Sequence, residues 1–588
     1  MIAYDLETTP IKAGTTPVPL YLTAYGEFWQ CSTRIQSLTN LRDILEARFL
    51  IEEHTGYRFV AWNGNNFDVY LIALALLESE RYTLRPYLTR SKNLRGLKVI
   101  EKKKTPNPKS KGKLRNRSWE FLDGIAMTGL VGTTLKKFLA QFAPEFGKLD
   151  GPNFEAGERF NANDPTHVRY AERDSEGLYH AMRNVEHIVF DTFGMRLQPT
   201  VGNLGIKIFQ ANMPMQTTVW KPSLACLDAI RNQVLRGGYC VTARKFEGPV
   251  WKYDINQAYA AAMREAKLPA GAAYWMPPLF KDGALRWENP ERSRALNPYS
   301  KVFIVRCRGV LARSVPFYVR NMEGKSVFAE RELPETWLTS IEFDQLRSEG
   351  ARLEIAESYF WDESFTMKGF VDRLETLRMN AAGGPSGPLG TVVKMIGNNA
   401  YGKTVERLDG LELVMSMDCP EGFSSYQSEQ EETAEFIWYR FAEPVLREYH
   451  QPQIGAFITA QVRMVLRRAI LLDPGAWLAS DTDSCTFSRA VPLDIDPKKY
   501  GLWKVEETGA DYWIIDKKVY AKKDGTVKHA KGMNVRHMTT EDFRDWFAGK
   551  PPTQRQTHRQ NFVKFLAQES ANRSMFTERE RIGSKKTA

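Results

Sequence analysis

Ser480-Asp481-Thr482-Asp483-Ser484 follows the apolar stretch Ala476–Ala479. An apolar strand running into alternating acids and hydroxyls reads as a β-hairpin with carboxylates at its turn. Alone, Asp-Thr-Asp is a common polar loop. Two upstream segments give it weight. Asp254 closes the strand-like run Val250–Tyr253, in Tyr253-Asp254-Ile255-Asn256-Gln257-Ala258-Tyr259. Lys394-Met395-Ile396-Gly397-Asn398-Asn399-Ala400-Tyr401-Gly402 follows a Gly- and Pro-rich hinge, Gly383–Gly390. On a helix, Lys394, Asn398 and Tyr401 fall at i, i+4 and i+7, one stripe. A core stripe would be apolar. A cation, an amide and an aromatic ring suit a triphosphate and a base better.

A second set of acids lies near the N-terminus. Asp5 and Glu7 sit two apart on a predicted strand, so alternation points both to one face. Asn63-Gly64-Asn65-Asn66-Phe67-Asp68 places an acid where the strand Arg58–Trp62 gives way to the helix Asp68–Leu77. Tyr170 and Asp174 lie four apart, on one helix face. Four acids at such spacings suit two hard cations with oxygen ligands. A two-ion site can activate a water and offset charge on a leaving oxygen in phosphodiester cleavage.

The 588 residues suggest about four compact units. With 43% hydrophobic residues a mainly disordered chain is excluded. Lys and Arg number 81 against 70 Asp and Glu, a net +11 that fits ordinary solubility as well as a polyanionic partner. Six scattered cysteines without a CxxC pair speak against a zinc site or disulfide framework and for a reducing cytosol. No membrane association is expected, because no apolar run is long enough to span a bilayer.

The first three acidic segments, in order, resemble the DxE, Nx2–3F/YD and Yx3D motifs of DnaQ-like 3′–5′ exonucleases, over residues 1 to about 185. The resemblance implies Asp5, Glu7, Asp68 and Asp174 as catalytic acids, with Asp5, Glu7 and Asp174 as metal ligands. It further implies Tyr170 orienting the attacking water, and Asn63, Phe67, Thr134 and Leu135 on single-stranded DNA. Lys148 loosely matches a further catalytic lysine. DINQAYA, KMIGNNAYG and ASDTDS resemble motifs A, B and C of family B DNA polymerases. Lys518-Val519-Tyr520 resembles the family's KxY motif, and Thr459–Arg463 its Tx2GR segment. What this implies is a template-directed polymerase in which Asp254, Ile255 and Asp483 hold two Mg²⁺ ions, Mn²⁺ being an alternative, with Asp481 in support. Lys394, Asn398, Tyr401 and Tyr259 would meet the nucleotide, Tyr259 rejecting a 2′-hydroxyl. Lys518, Tyr520 and Arg463 would contact DNA. Gln257, Ala258, Ala260, Asn399 and Ala479 depart from the motifs without removing an acid.

The implied fold is a multidomain α/β plus α+β chain, an RNase H-like exonuclease followed by a right-hand polymerase with two insertions. We expect the exonuclease at 1–188, palm at 189–263 and 452–533, and insertions at 264–366 and 404–451. Fingers would fill 367–403 and a thumb 534–588. Within these, Ile44–Glu53 reads as a helix, Lys102–Arg117 as an exposed loop, and 404–450 as strand-poor. Leu235-Arg236-Gly237-Gly238 reads as a boundary, and the chain past Met533 as polar and helical with a frayed basic tail. The layout resembles the protein-primed branch found in bacteriophages and linear plasmids. That implies primer-template DNA, dNTPs and a terminal protein as partners, a monomer, and the cytoplasm of a bacterial host. A primer-independent polymerase, a nuclease with an inactive polymerase half and a structural DNA-binding protein are the alternatives.

Overall fold

The strand that bears Asp5 and Glu7, Ile2–Thr8, lies well inside a ten-stranded sheet. It pairs in parallel with Arg58–Ala61, Ile2 opposite Phe59, and antiparallel with Pro19–Gly26, Asp5 opposite Thr23. Arg58–Ala61 runs parallel to Leu114–Asp123. The carboxyl ends of these parallel strands, where an α/β sheet opens its ligand crevice, carry Glu7, the Asn63 turn and Asp123. Helix Pro165–Phe193 packs against the first two strands. Its limits follow from local chemistry: Asp164 accepts from Thr166 N–H at the N-cap, Pro165 sits at the first position, and Gly194 (φ 67°) ends it. The buried Thr23 hydroxyl pins this helix, bonding Ala171 O (3.0 Å) and Ser175 Oγ (2.7 Å).

The computed structural model describes every residue except 107–109, 111–112, 153–157, 277–279, 282–283, 286–301, 408–409, 428–432, 444–446, 570–572 and 584–588. The tip of the Lys102–Arg117 segment, the acidic Glu429–Glu432 and the end of the basic tail lie outside the described residues.

The chain from Tyr239 onward builds a seven-stranded antiparallel sheet. Its order is Lys528–Ala530, Val519–Lys522, Trp503–Asp516, Phe246–Ile255, Ser484–Phe487, Trp477–Thr482 and Tyr239–Thr242. Helices Ala258–Glu265 and Pro452–Leu472 pack together, and Lys368–Met379 with Pro388–Asn399 forms a further pair. Between Ala258–Glu265 and Lys368–Met379 lies a four-stranded sheet with helix Ser340–Ser348 and a core of its own around Phe303, Val305 and Phe343. Among the described residues no helix is long and apolar enough to cross a membrane.

Four expectations need correction. The stretch expected as a helix at Ile44–Glu53 is helical through Phe49, as a π-helical turn, but the helix begins earlier, at Leu38, because Ser37 caps it by accepting from Asn40 N–H (3.0 Å). The Lys102–Arg117 segment is largely strand, pairing as far as Pro106 opposite Leu114, with Arg81 and Arg117 closing on the buried Glu101. Residues 404–450 are not strand-poor. Leu411–Met415, Ser424–Gln427 and Thr433–Phe441 extend the first sheet, joined by Met415 opposite Leu84. Their surface charge hid the alternation of Leu413, Met415 and Ile437 into the core. Past Met533 a polar ribbon, Thr553–Arg559 with Phe576–Ile582, accompanies the short helices Thr540–Phe547 and Phe562–Leu566. A solvated two-stranded ribbon buries no face, so it leaves no apolar period to read. At Leu235–Gly238 only Arg236 is buried, and Gly237 is exposed. The chain's ends also meet: Gly14 N–H donates to Phe576 O (2.8 Å), and Phe562, Phe565 and Phe576 enter the core of the first sheet.

Thr23→Val keeps the shape of the side chain and deletes both bonds to helix Pro165–Phe193. A buried hydrogen bond is worth about 1 kcal/mol net, so losing both should lower the unfolding free energy by about 2 kcal/mol, read as a lower denaturation midpoint at constant m-value. An unchanged midpoint would show that Thr23 does not pin the helix.

Candidate active sites

The first site is built from backbone. Leu6 N–H donates to Asp68 Oδ1 (3.1 Å), fixing the start of helix Asp68–Leu76 beside the Asp5–Glu7 strand. Asp123, which the sequence reading missed, accepts from the amides of Asn63 (3.2 Å), Asn65 (3.1 Å) and Ile125 (2.7 Å). It thereby holds the turn in which Asn63 takes a left-handed φ of 67°, a conformation Asn tolerates. Its only early trace was an acid ahead of Gly124 at the end of an apolar strand. Asp174 is 3% exposed and pairs with Lys148 Nζ at 2.5 Å, while that ammonium lies 4.6 Å from the Tyr170 ring centre.

Crowding shows in the proton affinities. Burial, then Asp174, pushes Asp5 up to about 6. Burial, then Asp5 and Asp174, pushes Glu7 up to about 9. Burial and Asp5 raise Asp68 well above the usual carboxylate range. Asp174 is raised by burial, against the pull of Lys148. Phe67 and Asn63 line a groove at this site together with Arg559, Lys564 and Arg579 of the C-terminal segment. Thr134 lies at the exposed start of helix Leu135–Phe142, its hydroxyl capping Lys137 N–H (3.3 Å), with Leu135 half-buried beside it.

The second site sits on the seven-stranded sheet. Asp483 is the single residue between strands Trp477–Thr482 and Ser484–Phe487, and its N–H donates back to Asp481 O (2.8 Å). This closes so tight a turn that Thr482 is forced to φ 66°, uncommon for a β-branched residue. Gly238 explains how the turn is held. A Cβ there would stand 2.9 Å from Thr482 Cα, so only glycine fits beneath it. Ser484 registers opposite Asp254, and Ile255 N–H donates to Asp483 O (2.9 Å), which brings the two carboxylates to one place. Burial, then Asp254 and Asp481, pushes Asp483 up to about 6. Asp254 is raised by burial despite its ion pair with Lys504 (3.0 Å). For Asp481 burial is outweighed by Lys518 (2.8 Å) and Cys240 (3.3 Å), and its carboxyl lies below the usual range.

Lys394 and Asn398 are the exposed positions of helix Pro388–Asn399, whose Val392, Val393, Met395 and Ile396 are buried. Burial and the nearby cations Arg378 and Lys504 lower the Lys394 ammonium, while Asp254 and Asp483 pull it upward, so it faces the acids. Tyr401 lies just past the helix and stacks on Tyr259 (5.3 Å, 26°). Tyr520 stacks on His529 (5.2 Å, 15°) beside Lys518. Arg463, expected on DNA, is instead core. It is 2% exposed, and its guanidinium is taken up by Glu342 and by the carbonyls of Arg236 and Gly237.

Comparison with known proteins agrees with this layout. Residues 163–438 match the family described as DNA polymerase type B, organellar and viral. The DNA-directed DNA polymerase of Enterobacteria phage PRD1 is 26% identical over 343 residues, 56% of this chain and 55% of that one. A probable DNA polymerase of Neurospora intermedia is 23% identical over 260 residues, 43% of this chain and 26% of that one. Over these residues the chain is similar to family B DNA polymerases. Its fold is that of phi29 DNA polymerase. The ternary complex of that enzyme with primer-template DNA and incoming nucleotide superposes with TM-score 0.71 at 16% identity, covering 100% and 99% of the two chains. The orthorhombic crystal form gives 0.72 at 15%, covering 99% and 100%. The chain spans about half or less of the length of the curated relatives it matches.

Family B polymerases imply divalent metals, and the donor set of the two nests bears on their fit. Among the described residues no three or more His, Cys, Asp or Glu side chains close into a metal-holding cluster. Lysines stand on Asp174, Asp254 and Asp481 instead. Yet Asp174 Oδ1 is buried with no hydrogen-bond partner, and the acids raise one another's proton affinity in both nests. Hard oxygen donors in excess of local cations fit a divalent ion. Lys504 and its partner Glu506 (3.6 Å) escaped the sequence reading because strand register, invisible in sequence, sets Lys504 opposite Asp254.

Glu7 carries a consequence for stability. Folding raises it from 4.5 to about 9, so between these values the native state keeps a proton that the unfolded chain has released. Metal-free protein should therefore lose stability as pH rises across that interval. In chelator at pH 8, Glu7→Gln should melt above the parent, with the difference closing toward pH 4.5. Equal melting temperatures at pH 8 would show that Glu7 is not forced into a crowded nest.

Proposed function

We propose that this chain is a template-directed DNA polymerase with a 3′–5′ proofreading exonuclease, the two activities residing in separate carboxylate nests. The observation that carries it is the meeting of Asp254 and Asp483, more than two hundred positions apart in sequence, across one strand register. Mg²⁺ ions held by Asp254 and Asp483, and by Asp5, Glu7, Asp68 and Asp174, would ease deprotonation of a primer hydroxyl or a water and offset charge on the departing oxygen.

The chain's own residues do the rest. Lys394, exposed and facing the acids, neutralises the triphosphate, and Asn398 lies one turn further along the same face. Tyr259, held by its stack on Tyr401, forms the wall beneath the sugar and excludes a 2′-hydroxyl. Lys518 leaves Asp481 to meet the primer backbone, with Tyr520 beside it. In the exonuclease nest Lys148 holds Asp174 and Tyr170 in one place, so the phenol can orient the attacking water. Asn63 and Phe67 guide the single strand toward it.

Strand displacement and priming on a terminal protein belong to the same proposal. Supporting it, the second insertion prolongs the exonuclease sheet, and Arg85, Arg90, Lys92, Arg95, Lys403 and Arg407 line one basic groove between them. Such a groove suits a single template strand, stripped of its complement as it enters.

Primer extension with and without dNTPs tests the two-nest reading. Asp483→Ala should stop synthesis and spare degradation, and Asp5→Ala with Glu7→Ala should do the reverse. Loss of both activities from either change in a folded protein would refute separate nests. For priming, incubation with labelled dNTPs and the product of a neighbouring gene should label a protein band. Good extension of a DNA primer with no such band would remove protein priming from the proposal.

A further inference from the structure

Glu342 belongs to no motif and touches neither carboxylate nest. It is 0% exposed, on helix Ser340–Ser348 of the first insertion. Every lone-pair direction of its carboxylate is used. Oε1 accepts from Arg463 Nη2 (2.8 Å) and Nε (3.2 Å). Oε2 accepts from Arg236 Nη2 (2.6 Å) and from the backbone and hydroxyl of Thr339 (both 3.1 Å), closing a capping box. Both guanidinium groups are themselves buried. They reach in different directions. Arg236 Nη1 donates to Tyr318 O (2.9 Å) within the insertion. Arg463 Nη1 donates to Arg236 O (2.8 Å) and Gly237 O (3.2 Å), the chain immediately before Gly238.

Gly238 is the residue on which the strained Thr482 turn rests, and Tyr239 and Cys240 register opposite Thr482 and Asp481. A continuous path of contacts thus runs from the buried Glu342 through Arg463 to segment 236–238 and on to the half-buried turn that carries Asp481 and Asp483. The geometry points to Glu342 as a positioning residue for nucleotide addition: by holding Arg236 and Arg463 it sets the height of segment 236–238, and so the aim of the Asp483 turn. The fixed forks of two guanidinium groups leave little slack. The inference rests on the polymerase reading given above.

Glu342→Gln keeps the volume but replaces one acceptor oxygen by a donor, so one arginine loses its partner and shifts. Single-nucleotide addition on a primer-template separates positioning from mere support. For Glu342→Gln, kcat should fall about tenfold or more, while the KM for dNTP stays within about threefold, because the nucleotide-binding helix is untouched. Exonuclease activity on single strands should stay within about twofold, since that nest shares no contact with the triad. Glu349→Gln is the control. It breaks the neighbouring buried pair with Arg467 (2.6 Å), which does not touch 236–238, and should leave kcat within about twofold even where the melting temperature drops. Should Glu342→Gln fail to accumulate as folded protein, Arg463→Lys carries the same expectation, because a single ammonium nitrogen cannot reproduce the planar fork that spans Glu342 and both carbonyls. Equal loss of kcat in Glu349→Gln, or an unchanged kcat in Glu342→Gln or Arg463→Lys, would overturn the inference. Absence of extension by the parent protein would instead overturn the polymerase reading.

Discussion

Like charges have to be held together by something stiffer than themselves. Two carboxylates about 4 Å apart near a protein surface repel by about 4 kcal/mol, against about 1 kcal/mol for one hydrogen bond. No single contact can therefore assemble either nest. In both, cooperative backbone structure does it. Parallel pairing brings Glu7, Asn63 and Asp123 to one edge, where the Leu6 amide secures Asp68. Antiparallel register sets Asp254 beside the Asp483 turn, whose carbonyl is tied to Ile255. Lysines 148, 504 and 518 then lower the residual repulsion. The nests are shaped before any ion arrives, which is the preorganisation that electrostatic catalysis needs.

How much of this was legible depended on how local each feature is. Asp5 with Glu7, Tyr170 with Asp174, and Asp481 with Asp483 declare themselves through strand or helix period, and the structure places each pair on the element the period implies. Long-range register is not written in spacing. Lys504 faces Asp254 only because one strand pairs at a particular offset, and Asp123 matters only because a turn from sixty residues earlier folds over it. Arg463 was misread for a related reason. Its position in a Tx2GR-like segment suggested DNA, whereas its acceptors come from a helix and a loop far away in sequence. The strands of 411–441 were hidden by charge on their solvent face, and the ribbon 553–582 by having no apolar face at all.

The four-stranded sheet with helix Ser340–Ser348 is more than an appendage on the seven-stranded sheet. A buried arginine pair sharing one glutamate is costly to desolvate, and losing one partner of such a cluster typically destabilises by about 3–5 kcal/mol. Hydrophobic packing could have joined the insertion to helix Pro452–Leu472 at lower cost. What guanidinium forks add is direction, because they fix carbonyls at 236 and 237 in a way that side-chain packing does not.

One further property follows from the meeting of the chain's ends. The core beneath the first sheet takes side chains from three separate stretches: the opening 123 residues, the 411–437 hairpin and Phe562 to Phe576. Domains made on the ribosome generally fold as they emerge. This one has to wait. Strands Ile2–Thr8 and Arg58–Ala61 leave part of their apolar surroundings incomplete until Phe562–Phe576 has been made, so burial lags far behind synthesis. A product stopped before Phe562 inherits Asp5 and Glu7 without the packing that completes the core beneath their strand.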